Sequence, residues 1–138
     1  MRYPAQFKRL KEGGYLITFR DIPEAITQSE SLEEGVILAQ DALRTAMEFY
    51  FEDQRAVPLP SPCKSNEDLV TLPASIWAKV LLLNSMIDGQ IRQVDLARLM
   101  NIKPQQVTRL VNLDHPTKID EIQRAIECTG RRLNFCLI

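Results

Sequence analysis

The sequence predicts an α+β protein in two parts: a small β-β-α-β-β unit over residues 1–72, then an all-α unit over residues 73–138 that ends in a β-strand. Three observations carry this expectation. Apolar residues alternate with polar ones in the first half and prolines interrupt its later stretches, whereas apolar residues recur at helical spacing from Ile76 onward. The charge divides at the same place: residues 1–73 hold 8 Lys and Arg against 12 Asp and Glu, and residues 74–138 hold 9 against 6. A net charge of -1 for the whole chain therefore conceals an acidic part and a basic part, and two such parts suit two different partners.

In the first half, Arg2–Leu10 and Tyr15–Phe19 alternate around Glu12-Gly13-Gly14, whose glycines tolerate positive φ, and read as a β-hairpin. Asp21-Ile22-Pro23 ends the second strand, since proline cannot donate to a ladder. Ser31-Leu32-Glu33-Glu34 is a capping box in which the Ser31 hydroxyl accepts from the Glu34 amide and the Glu34 carboxylate reaches back to the Ser31 amide. Leu32, Val36, Ala39, Leu43, Ala46 and Tyr50 then form one helical stripe to pack on the hairpin. Gly35 within it costs about 1 kcal/mol relative to alanine and lets the helix sit close to the sheet. Val57-Pro58-Leu59-Pro60-Ser61-Pro62 cannot be helical and reads as an edge strand leading into a loop. Leu69–Leu72 is the last strand, closed by Pro73, and the polar Pro60–Asp68 loop is the expected cleavage region for proteases.

In the second half, Ile76, Val80, Leu83 and Ile87 mark a helix that stops at Asp88-Gly89. The next runs from Gln93 to Leu99 with Val94 and Ala97 inward, and Asn101, which tolerates the left-handed conformation, ends it. Pro104 is pre-organised to start another helix, whose buried face is Val107, Leu110 and Val111. A small residue at Ala97, a turn residue four positions on, and apolar anchors at Val107 and Leu110 are what two helices crossing through a tight turn require, so this stretch reads as a helix-turn-helix. Its outward residues would be Gln105, Gln106, Thr108, Arg109 and Asn112. Gln offers the paired donor and acceptor suited to adenine and Arg the fork suited to guanine. Gln93 and Lys103 stand at helix starts, where they can meet phosphates. Asn101–Leu113 holds two basic residues and no acidic one, and DNA binding by a dimer that reads two half-sites is the function expected of it.

Thr117-Lys118-Ile119-Asp120 opens a last helix, through Ile122, Ala125 and Ile126 to Gly130. Arg131–Ile138 alternates as a strand, whose partner would be the same strand of a second copy or the sheet of the first unit.

Little else points to chemistry. Cys63, Cys128 and Cys136 are odd in number and lack C-x-x-C spacing, so no disulfide framework or zinc site is expected, and Cys128 and Cys136 read as small apolar residues. His115, the only histidine, precedes Pro116 with no nucleophile or acid patterned around it, and reads as a loop or phosphate-proximal residue. No catalytic residue, metal or cofactor is expected. No run approaches the ~18 apolar residues of a membrane span and the N-terminus lacks a signal-peptide core, which makes the cytoplasm the expected location.

The motifs MRYP, EGGY, DIPEAITQ, SLEEG, DALRTAMEFYFED, VPLPSP and KVLLLN, followed by the helix-turn-helix, together resemble the HicB antitoxins of HicA/HicB toxin-antitoxin systems, in the two-domain enterobacterial form. Glu24, Gly35 and Asn101 depart from the glycine, alanine and turn glycine common there. The resemblance implies a partial RNase H-like first domain without catalysis that binds and occludes a small basic mRNA-cleaving HicA toxin. It also implies a C-terminal domain that dimerises, with a tetramer as the further option, and represses the operon by binding its operator. The acidic balance of residues 1–73 suits a basic partner independently. The helix Leu32–Tyr50 and the segment Val57–Ser61 are the surfaces expected to meet the toxin. Two other readings compete with this one: a one-component regulator whose first domain senses a small molecule, and a nuclease using Asp21, Asp41 and Asp53.

Overall fold

A computed structural model describes all 138 residues, and the chain forms two compact units, Met1–Tyr50 with Pro58–Ala74 and Phe51–Val57 with Ser75–Ile138. The first unit is a four-stranded antiparallel sheet with one long helix: β1 (Arg2–Arg9), β2 (Tyr15–Thr18), β3 (Ile26–Ser29), α1 (Leu32–Glu52, its last two residues counted in the second unit) and β4 (Asp68–Thr71), in sheet order β3-β2-β1-β4. The strand β1 is used twice along its length. Arg2–Ala5 pair with β4, and Gln6–Arg9 pair with β2. Gly13 and Gly14 make the β1–β2 turn at φ +99° and +80°, the left-handed region where other residues are strained.

Period-two alternation puts Tyr3, Ala5, Ile17 and Val70 on one buried face, and α1 lies against it through Gly35. A Cβ at Gly35 would stand 2.8 Å from Ser29 Oγ, 3.1 Å from Phe7 and 3.2 Å from Ile17, so the expected close approach is real. The stripe differs from the expected one, however. Leu32 and Val36 are about half exposed, and the buried face of α1 is Gly35, Ala39, Leu43, Ala46, Met47 and Tyr50. The capping box is also modified: Ser31 Oγ accepts from the Glu34 amide at 3.1 Å, but the Glu34 carboxylate accepts from the Glu30 amide, one residue further back.

The strand order corrects the β-β-α-β-β expectation to β-β-β-α-β. Ile26–Ser29 is a strand because its four residues pair in register with Tyr15–Thr18. Val57–Pro62 is no strand. Its prolines leave too few amides for a ladder, and Val57 instead exchanges both backbone groups with the Asn84 side chain, at 2.8 and 3.0 Å.

The second unit holds α2 (Ala74–Asp88, with Ala74 itself counted in the first unit), α3 (Gln93–Met100), α4 (Pro104–Leu110) and α5 (Ile119–Cys128). Ala78, Leu82 and Met86 of α2 meet Leu96 and Ala97 of α3, Val107 and Leu110 of α4, and Ile122, Ala125 and Ile126 of α5 in one core. Leu96 takes the inward position expected of Val94, which is exposed. Residues 131–138 form no strand: Leu133 packs on the core, while Phe135, Leu137 and Ile138 are exposed and no edge of the sheet pairs with them. An extended segment has no ladder without a neighbour, and the single chain supplies none. Cys136 is accordingly exposed rather than apolar filler, Cys128 is half-buried, and all three cysteines are free thiols. No helix is long and apolar enough to cross a membrane.

Candidate functional site

The most patterned surface is built on α3, the turn Asn101–Lys103 and α4. Asn101 closes α3 at φ 55°, ψ 47°, and the Ile102 amide reaches back to the Ala97 carbonyl at 3.0 Å, the left-handed helix ending that asparagine tolerates. Ala97 is buried beside the α4 anchors Val107 and Leu110. The two helices therefore pack against each other through the residues that the spacing identified.

The expected site residues fall on this surface. Lys103, Gln105, Gln106, Thr108, Arg109 and Asn112 are all exposed, and Gln93 is half-buried at the start of α3. Their freedom differs. Gln106 accepts from the Lys103 amide through Oε1 at 3.0 Å, so the oxygen needed to read an adenine is engaged in capping α4. Thr108 Oγ1 donates to the Pro104 carbonyl, and Asn112 Oδ1 accepts from the Asp114 amide. Arg92 is pinned to Asp95 at 3.1 Å, and that pairing holds the Asp95 carboxyl below the usual range. Arg109 forms no such pair and leaves its guanidinium available.

One residue beneath this surface escapes a reading of motifs. Lys79, on α2, is 2% exposed. Its ammonium donates to the carbonyls of Arg109 at 3.0 Å, Asn112 at 2.6 Å and His115 at 2.6 Å. Burial pushes it down to about 8 from 10.5. The available signal was a single cation inside the otherwise uncharged run ASIWAKVLLLNSMI. His115 is thus a half-buried loop residue whose carbonyl, rather than its ring, has a defined partner.

In the first unit the surface is of another kind. A groove of about 300 Å³ runs between β3, the sheet edge, and α1, lined in part by Glu24, Ile26, Asp41 and Phe49. Ile26 and Phe49 are both more than half exposed, as is Ile37 on α1, and α1 carries five acidic residues against one arginine. The carboxylates invoked for a nuclease do not gather. Asp21 accepts from the Ser61 amide at 2.8 Å and from its hydroxyl at 2.5 Å, and no group of three acidic, histidine or cysteine side chains is arranged to hold a metal ion. The neighbouring loop is strapped as well: Arg20 pairs with Glu67 at 2.7 Å and donates to the Pro62 carbonyl, and the pairing keeps the Glu67 carboxyl below the usual range.

An open sheet carrying one acidic helix, joined to a four-helix unit with a polar, basic face, describes a protein organised around contact surfaces. The family model of the HicB-like antitoxin of bacterial toxin-antitoxin systems matches residues 2–81, more than half the chain, and the chain belongs to that family. It is 46% identical to antitoxin HicB of Escherichia coli K12 over the full length of both proteins. Antitoxin HicB 2 of Photorhabdus laumondii is 47% identical, over all of this chain and 97% of its own length. Antitoxin HicB of Pseudomonas fluorescens is 34% identical over 88% of this chain and 84% of its own. A toxin is the partner that membership implies, and the resemblance read in the sequence stands.

Proposed function

We propose that residues 1–72 neutralise a HicA-type mRNA-cleaving toxin and that residues 73–138 act as a helix-turn-helix domain which binds operator DNA and represses the chain's own operon in the cytoplasm. The repressor reading rests above all on the exposed, acid-free face of α4, where Arg109 is unpaired and Gln105 has no partner within the chain. Arg109 and Gln105 read bases, Lys103 and Gln93 meet phosphates, and Thr108 and Asn112 complete the face. Gln106 joins them only by releasing its cap. The unpaired 131–138 tail supports self-association as a homodimer, because a second copy would supply the missing strand partner, and two copies would present two α4 helices to two half-sites. For the toxin, the β3–α1 groove offers exposed apolar contacts beside Glu24 and Asp41, suited to a basic protein.

Co-expression with the small protein encoded beside this gene tests the first half of the proposal. Growth arrest by that protein alone, relieved by this chain, is expected; a harmless neighbour or failed rescue removes the antitoxin activity from this chain. For the second half, Arg109→Ala should cost roughly 1–3 kcal/mol of operator specificity while rescue persists, as read by binding titrations against matched and altered duplexes.

A further inference from the structure

We propose that Lys79 is a positioning residue for the DNA-reading helix: its ammonium gathers the carbonyls of Arg109, Asn112 and His115 and so fixes the attitude at which α4 presents Gln105, Thr108 and Arg109. The inference rests on the DNA-binding reading of α4 and adds to it a residue that never touches DNA.

The geometry is specific. A lysine ammonium has three hydrogens, and here each one meets a backbone carbonyl within 3.0 Å. The acceptors lie three residues apart and span the end of α4 and the loop before α5, so a single charged centre sets the path of seven residues. Each carbonyl also has a second partner. Arg109 accepts from the Asn112 amide, Asn112 from the His115 amide, and His115 from the Thr117 hydroxyl. The ammonium therefore closes a local network rather than filling one vacancy.

This matters because α4 has only seven residues, too few to hold a helix unaided. Its start is set by Pro104 and the Gln106 cap, and its end by Lys79. A cation at a helix C-terminus also meets the negative end of the dipole. Burial opposes all of this. An apolar side chain would suit a helix whose other neighbours are Ala78, Val80, Leu82 and Leu83, and burying a charge normally costs more than burying a methylene chain. Arginine would not substitute, because its planar fork does not converge on three acceptors around one point. What the lysine supplies is a defined arrangement of α4 and the following loop, and it supplies it to the one helix whose outward face carries the base-reading set.

The test compares the full-length native chain with Lys79→Met, which keeps the length and apolar character of the side chain. Each is titrated at one salt concentration against the duplex upstream of its own gene and against a random duplex of equal length. The native chain is expected to prefer the upstream duplex. Lys79→Met should lose about tenfold or more of that preference, the scale of one base contact, while its affinity for random DNA stays within about twofold, since phosphate contacts tolerate a small misalignment. An unchanged preference overturns the inference. Leu82→Ala, a truncation in the same core that leaves the Lys79 ammonium and its three carbonyls in place, serves as the control for lost stability. If it reduces the preference as much as Lys79→Met does at the same melting temperature, Lys79 is merely structural and the inference falls. A native chain with no preference for the upstream duplex removes the DNA-binding reading itself, and the positioning role with it.

Discussion

The helices α1 and α4 solve the problem of presenting a surface in opposite ways. With 21 residues, α1 makes its own hydrogen-bond ladder, seats Gly35, Ala39 and Ala46 among its buried residues and leaves an acidic outer face whose contacts are a cap and a few surface bonds. At seven residues, α4 is fixed at both ends, by the preceding turn, its own first-turn proline and glutamine cap, and a buried lysine of α2. The lesson is that a long helix can vary its exposed face at little cost, whereas a short one makes each exposed residue dependent on residues far from it. Under the proposed functions, a toxin-binding surface and a base-reading surface would place different demands on precision, and the two helices differ in that direction.

The largest effect should come from Leu96→Ala, which opens a cavity in the helical core and should cost about 2–5 kcal/mol. Trp77, the single tryptophan, lies on α2 in the same unit and reports that loss by fluorescence during urea unfolding. Next, Gly35→Val should lift α1 from the sheet, because its Cβ meets Ser29, Phe7 and Ile17 too closely. A loss of about 1–3 kcal/mol is expected, together with weaker protection against the toxin. An unchanged stability would show that α1 does not depend on that close approach. Ser31→Ala removes the α1 cap and should cost about 1 kcal/mol, a small fraction of what holds a helix with so much of its own ladder.

A pH dependence is expected at the α4 support as well. The Lys79 ammonium is pushed down to about 8 in the folded chain and titrates near 10.5 when unfolded. Between those values the unfolded chain binds more protons, so stability rises with pH through that window and is flat below about 8 in this respect. Thermal melts of the native chain should show the rise, and Lys79→Met should lack it.

Much of this was legible in the sequence because it rests on local rules. The four helices of the second unit, the Asn101 turn and the β1–β2 hairpin follow from periodicity, proline and glycine placement, and capping chemistry. What escaped was set by tertiary context. Ile26–Ser29 becomes a strand because β2 lies beside it, not because four residues alternate convincingly. Leu32 and Val36 lost their place in the stripe because Gly35 admits the sheet closer on its own side of the helix. Arg131–Ile138 alternates well and still forms no strand within one chain. In the candidate site, the exposed set could be listed from the spacing of Val107 and Leu110, whereas the Gln106 cap and the Lys79 network depend on where backbone groups arrive in space.

The strapped loop after Val57 bears on how long the protein survives in a cell. A protease must draw several residues of unrestrained backbone into its cleft, and irregular surface segments are ordinarily where it finds them. Residues 58–67 are irregular yet pinned: the Pro58 carbonyl is held by Tyr3, Ser61 by Asp21, the Pro62 carbonyl by Arg20 and the Lys64 amide by Glu67. The segment that offers free backbone is 131–138. Under the proposed self-association a second copy would cover that segment, so a lone protomer would offer a protease more unrestrained backbone than a paired one.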